Sequence, residues 1–228
     1  MSLVWSREPY APKRRALSVE AIVRAAIAVA DAEGLDAVSM RRVATEVKSG
    51  TTSLYRYLEN RDELLDLMVD AVWGEGAPGE LTGDWRADLA GVARDQRAGV
   101  LRHPWLAALM TSRPALGPNS LRRVEHALSA VRPLTSDITR AAAVIGVIGD
   151  YVLGAVAKEL AEQEARRRTG LSEEEWRAAI GPYVREVMAG GAYPEFNRRV
   201  AEADDLSFSE QFEFGLACLL RGFAEQVR

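Results

Sequence analysis

Between Ser39 and Arg61 the chain gathers the groups that a surface for phosphates and base edges needs. Five cations (Arg41, Arg42, Lys48, Arg56 and Arg61) stand against two carboxylates (Glu46 and Glu59), a balance of +3. The whole chain carries −4, so everything outside this segment carries −7. Guanidinium and ammonium groups neutralise phosphates, and small hydroxylic side chains reach base edges where bulky aliphatics cannot. Thr51, Thr52 and Ser53, with Arg56 and Tyr57, supply such a set on one short stretch. Leu54 and Leu58, four apart, would anchor its other side. A small basic face on an acidic body suits contact with DNA through one end only.

Elsewhere the chemistry is sparse. His103 precedes Pro104 and Trp105 at a helix boundary, and His126 lies on an amphipathic stretch, neither beside a serine or carboxylate constellation. Asp204-Asp205 is an isolated pair in a loop, and Arg166-Arg167-Arg168 before Gly170 reads as cations favoured at a helix C-terminus. No Gly-rich phosphate loop, nucleophile elbow or metal signature occurs. Two histidines and one cysteine leave little for a zinc site, so neither metal nor cofactor is expected. The lone Cys218 permits no internal disulfide and fits a reducing cytoplasm. The N-terminus lacks the apolar stretch of a secretory signal. The longest apolar run, Ala141 to Ala157, is shorter than a bilayer span and holds Asp150 near its centre. It is expected as a buried helix, with no membrane partner.

The elements that must position the basic segment follow from periodicity. With 48% hydrophobic and 27% charged residues over 228 positions, the chain can bury a core of ordinary size. Strand alternation is nearly absent and 3.6-residue periodicity is nearly everywhere, which predicts an all-α fold. Ser18 caps a first helix with a stripe of Ile22, Val23, Ala26, Ile27 and Ala30, stopped by Gly34. Ser39 caps a short second helix with Met40, Val43, Ala44 and Val47 inward. After a break at Lys48-Ser49-Gly50 a third helix runs from Thr51 to Leu58, and Asn60 with Glu63 resembles a capping box opening a fourth. Residues 74–83, with four glycines and one proline, mark a boundary. Further helices are expected at about 84–102, 104–111, 119–131, 136–168, 172–189 and 206–227, with a loop at 190–194. The division is therefore a DNA-binding domain over 1–73 (core 18–64) and a larger helical-bundle domain over 84–228. Gly146, Gly149 and Gly154 are costly inside a helix, and close approach of another helix, within the chain or across a dimer, is their compensation.

A short helix, a three-residue break and a second short helix with polar outward positions make a helix-turn-helix pattern. Spacing alone identifies it weakly. The residues add specificity: SVEAIVRAAIAVADAEGLDAVSMRRVATEVKSGTTSLYRYLENRDELLDLMVD resembles the DNA-binding domain of the tetracycline-repressor (TetR/AcrR) family. The AEGL end of the first helix, the SMRRVA second helix and the SLYRYLENRDELL block carry the likeness. The Ser112-Arg113-Pro114 turn and the closing FEFGLACLLRGF are similar to the C-terminal domain of the tetracycline repressor's own subclass. The resemblance implies DNA contacts from Met40 and Arg41 at the start of the second helix, from Gly50 through Tyr57, including Tyr55 beside the phosphates, and from Arg61. Where the family has Leu-Gly-Val in the turn, this chain has Val47-Lys48-Ser49. The glycine usually takes a positive φ, so either the turn differs or Lys48 accepts strain and gains a phosphate contact.

The family likeness also implies a homodimeric, ligand-responsive regulator, more often a repressor than an activator, on a palindromic operator in double-stranded DNA. Phe208, Phe212, Leu216, Leu219 and Phe223 recur at spacings of 4, 4, 3 and 4 as a stripe expected to pair with the 136–168 helix and their symmetry mates. In the tetracycline repressor the drug is held as a magnesium chelate by histidines; alignment on Arg113-Pro114 puts Leu109 and Ala77 at those positions. Aliphatic groups cannot ligate a hard cation. A metal-independent, largely apolar effector is expected instead, with Trp105, Leu109, Arg113 and Tyr151 as lining residues and no response to tetracycline. Two alternatives stand beside this reading. One is an all-α enzyme or small-molecule carrier whose first helices only mimic the motif. The other is a binding module that assembles with other proteins and uses no effector.

Overall fold

A computed structural model of the chain describes residue 5, residues 17–111 and residues 116–226. The described residues form helices without strands: α1 (Val19–Glu33), α2 (Met40–Glu46), α3 (Thr51–Leu54), α4 (Arg61–Trp73), α5 (Trp85–Arg102), α6 (Leu106–Met110), α7 (Pro118–Val131), α8 (Ile138–Thr169), α9 (Glu173–Ala189), α10 (Pro194–Glu202) and α11 (Phe208–Gln226). Arg113 and the Ser112–Pro114 turn lie outside the described residues.

Side-chain caps set the starts of the first helices. Ser18 Oγ accepts from Ala21 N, Ser39 Oγ from Arg42 N and Asn60 Oδ1 from Glu63 N. Each satisfies an amide that the helix itself cannot pair. The Glu63 carboxylate returns the favour one residue earlier than expected, accepting from Glu59 N at 2.6 Å. Gly34 ends α1 at φ 86° and Gly170 ends α8 at φ 72°, where a side chain would be strained. Ile22, Val23, Ala26, Val29 and Ala30 of α1 meet Met40, Val43 and Ala44 of α2, and α4 closes the unit with Leu64 and Met68.

Helix α3 is shorter than Thr51–Leu58. After Leu54 the chain tightens, with Tyr57 N bonding Leu54 O three residues back at 2.9 Å. Leu54 and Leu58 are nonetheless both fully buried.

α4 joins this head to the body through mutual capping with α7. Asp70, buried near the end of α4, accepts from Ser120 N at 2.8 Å and from Asn119 Nδ2, at the N-terminus of α7 where a carboxylate is favoured. Arg123 of α7 donates from Nε to Trp73 O and from Nη2 to Gly76 O, covering carbonyls at the end of α4. Gly117 must be a glycine here: a Cβ at that position would overlap the Asp70 carboxylate.

In the body α8 packs on α5, α7 and α11. It buries Ala141, Val144, Ile148, Val152 and Val156, a stripe at spacings of three and four. The expectation of a wholly buried helix is corrected. Ala143, Gly146, Val147, Asp150, Gly154 and Ala157 lie exposed on the other side, and only 28% of the most apolar stretch is buried. The helix also extends beyond the apolar run, so by length and composition it could cross a membrane. Helix α10 was not foreseen; Pro194 at its first turn starts it where a loop was expected to continue. Neither α9 nor α10 buries a residue.

Candidate nucleic-acid interface and the cavity behind it

The turn between α2 and α3 is closed by a Schellman arrangement. Ser49 N bonds Ala44 O at 2.9 Å and Lys48 N bonds Thr45 O at 3.1 Å. The position between these bonds takes φ 53°, and Lys48 is the sole non-glycine residue at positive φ among those described. The turn therefore keeps its geometry and lysine carries the strain. Its ammonium stays exposed beside Gly50, which opens α3.

Around this turn Arg41, Lys48, Thr52, Tyr55 and Arg56 are exposed, and Thr51, Ser53 and Tyr57 half-buried. Arg41, Lys48 and Arg56 form no ion pair with any described residue. Arg42 is different. Its guanidinium bonds Glu33 through Nε and Nη2 and Glu46 through Nη1, tying α2 to the end of α1 and raising its pKa, with the Glu33 bond the larger cause.

Two residues expected at the DNA have other contacts in this structure. Met40 points into the core at 7% exposure, where its apolar side chain is removed from water. Arg61 donates from Nε to Val38 O at 2.6 Å and from Nη2 to Leu35 O at 3.0 Å. It clamps α4 to the bend before α2.

Behind the head, α4, α5, α6, α7 and α8 enclose a cavity of about 430 Å³. Leu65, Val69, Trp73, Val92, Leu109, Met110 and Ile145 give it apolar walls, and Asp66, Asp95, Gln96, Ser120, Arg123 and His126 its polar points. This volume lies in the range of small-molecule sites, which combine apolar walls with a few orienting groups. Leu109 lines it as expected. Trp105 and Tyr151 do not. Trp105 is buried with Nε1 donating to Asp31 Oδ1 at 2.7 Å. The Tyr151 hydroxyl donates to Phe212 O at 2.7 Å while its ring stacks on Phe212, and burial raises its pKa. Gly215 makes room for it, since a Cβ there would overlap the tyrosine ring. The family alignment that pointed to Leu109 gave no sign of Asp66, Val69 or Trp73, because α4 was assigned wholly to the head.

His103 joins the two regions. Its Nδ1 lies 2.8 Å from Asp31 Oδ1 on α1 and its Nε2 3.1 Å from Glu75 Oε2 after α4, with the ring 5% exposed. It is a structural histidine that also ties the head to the body.

Within the stripe on α11, two of the five residues expected at a dimer contact are taken up by the chain's own core. Phe212 and Leu216 are buried within the chain itself, at 2% and 1% exposure, and Phe208, Leu219 and Phe223 are half-buried. The outward residues of α11 include Phe214, 65% exposed, Ala217 and Cys218.

Comparison with known proteins agrees with this architecture. Residues 22–68 match the family described as "Bacterial regulatory proteins, tetR family", and residues 77–227 the "Tetracyclin repressor-like, C-terminal domain". The chain is 41% identical to the HTH-type transcriptional repressor DrrR1 of Streptomyces coeruleorubidus, over 97% of this chain and 83% of that one. It is 35% identical to an HTH-type transcriptional regulator of Saccharopolyspora erythraea, over 97% and 91%. Among solved structures, apo ActR of Streptomyces coelicolor superposes with TM-score 0.77 at 29% identity, covering 92% of this chain and 96% of that one. ActR in complex with actinorhodin gives 0.75 at 30%, covering 93% and 99%. With the exposed cationic turn, the helical body and these relatives together, the chain belongs to the tetracycline-repressor family of DNA-binding transcriptional regulators.

Proposed function

We propose that the protein is a repressor that binds a palindromic operator as a homodimer in the cytoplasm and is released by a small molecule entering the 430 Å³ cavity. The observation that carries this reading is the double role of α4. Its first turn clamps the head through Arg61, and its later turns give Leu65, Asp66, Val69 and Trp73 to the cavity wall. A ligand that displaces α4 must move the head with it. That shifts the population between conformers whose half-site separations differ, provided the ligand binds one of them better. The ActR structures in complex with actinorhodin and with (S)-DNPA support a small-molecule site in this fold.

In this reading residues 1–73 are the DNA-binding domain and those from 84 onward the effector and dimer domain. Arg41, Lys48, Gly50, Thr51, Thr52, Ser53, Tyr55, Arg56 and Tyr57 face the major groove and its phosphates. The dimer contact lies on the exposed side of α8, with Gly146, Val147 and Gly154, and on the Phe214 side of α11. A second copy would remove that apolar face from water, and small residues let helices approach closely. The relatives named as transcriptional repressors and regulators favour this over an enzyme or carrier.

Selection of bound fragments from the source genome tests the proposal. The fragments should contain inverted repeats with half-sites about 34–36 Å apart, bound by two chains in sedimentation and weakened by added salt. Absence of salt-sensitive duplex binding would overturn it.

A further inference from the structure

Polar groups on the cavity wall are unevenly matched. Two carboxylates, Asp66 and Asp95, face it against one guanidinium, Arg123. That guanidinium stacks over the Trp73 ring at 4.9 Å and already donates to the Trp73 and Gly76 carbonyls. Asp95 is the carboxylate whose charge Arg123 feels. Asp66 makes no hydrogen bond or ion pair with any described residue. Its nearest charged influence is a like one, Asp62 one turn earlier on α4, and burial, followed by that repulsion, raises its pKa. Across the same wall Ser120 Oγ is buried without a partner among the described residues. A half-buried carboxylate with no paired cation, beside apolar walls, is stabilised by a positive charge brought from outside.

We propose that the effector is a cationic amphiphile: a flat apolar skeleton seated against Trp73, Val69 and Ile145, carrying a protonated amine that pairs with Asp66 and an acceptor or hydroxyl that meets Ser120 Oγ. An anionic ligand is disfavoured because Arg123 has its donors directed at the end of α4 and Asp66 would repel it. The inference rests on the cavity being the effector site.

Two planar three-ring probes of similar size test it by fluorescence titration of the DNA-free protein: 9-aminoacridine, a cation, and 9-anthracenecarboxylate, an anion. The parent should prefer the cation by roughly tenfold or more, a charge-assisted hydrogen bond's share of affinity. Asp66→Asn should reduce cation binding by a similar factor and leave the anion unchanged or tighter. This variant removes the repulsion with Asp62, so it should be at least as stable as the parent, which a melting curve verifies. Val69→Trp, which puts an indole where the skeleton is seated, should strongly weaken binding of both probes. Equal affinity for the two probes, or an Asp66→Asn protein that binds the cation like the parent while Val69→Trp binds it much more weakly, would overturn the amine assignment and leave the cavity reading intact. Failure of the cation to bind the parent, or cation binding left unchanged by Val69→Trp, would overturn the cavity reading and this proposal with it.

Discussion

The head and the body of this protein solve the burial problem differently. In α1 to α3 and the first turn of α4 the apolar stripes find partners within the head itself, and Ile22, Val43, Leu54, Leu58 and Leu64 are all fully buried. In the body α8 and α11 bury one side each and leave Val147 and Phe214 in the open, while α9 and α10 bury nothing. A complete core next to an apolar exterior supports the proposed reading, in which the head is finished as one chain and the body by a second copy. Burial recorded in one chain thus separates residues that hold the fold from those free to form a dimer.

Paired substitutions on the two sides of the body should break this contrast most forcefully. Leu216→Arg places a charge in a fully enclosed site and should cost ~4 kcal/mol or more in denaturant unfolding. Val147→Arg, on the open side of α8, should keep the parent's stability within about 0.5 kcal/mol yet sediment as a monomer with weak operator affinity. If Leu216→Arg folds and Val147→Arg stays dimeric, the assignment of the two faces is reversed.

A second pair separates DNA contact from head architecture. Arg56→Ala should lose roughly 1–3 kcal/mol of operator binding without changing stability. Arg61→Ala removes the donors to Val38 and Leu35 carbonyls and should instead lower stability by about 1–2 kcal/mol. Its salt slope for DNA should match the parent's in a titration from low to moderate salt. A flattened slope would return Arg61 to the phosphates.

Lys48 sharpens the comparison within the turn. Lys48→Gly relieves the left-handed strain at φ 53° and should gain roughly 0.5–1 kcal/mol of stability. The same change should reduce the magnitude of the salt slope by about 0.9 if the ammonium contacts one phosphate. A more stable protein with unaltered slope would make Lys48 a strained residue without a role in DNA binding.

The smallest effect is expected at the junction. Asp88 accepts from Thr82 N, Thr82 Oγ1 and Gly83 N, and these bonds, the Thr82 amide first, hold its carboxyl below the ordinary value. A lowered folded pKa means stability present above the unfolded value of about 3.9 and lost as pH falls through the folded one. The stability difference between parent and Asp88→Asn should therefore shrink below about pH 4 in an acid titration of unfolding.

Much of the head was legible because its determinants are local. Ser18, Ser39 and Asn60 cap within three residues, and Gly34 stops its helix by backbone conformation alone. The polar outer face of α3 followed from the same short-range pattern. Its early tightening after Leu54 did not, since periodicity cannot tell a helical turn from a tighter one. The carbonyl contacts of Arg61 were not legible because the acceptors lie 23 and 26 residues away. Trp105 and Tyr151 were drawn into the wrong site for the same reason, their partners lying 74 and 61 residues off.

From the sequence by itself came the all-α class, the capped helices and the basic face, each a consequence of hydrogen bonds and periodicity over a few residues. Only the tertiary structure decided which side of α8 and α11 faces the core, that α4 serves head and cavity alike, and that Asp66 stands without a cation. Those outcomes depend on which helices pack together, and an amphipathic stripe records that a side will be buried without recording what will bury it.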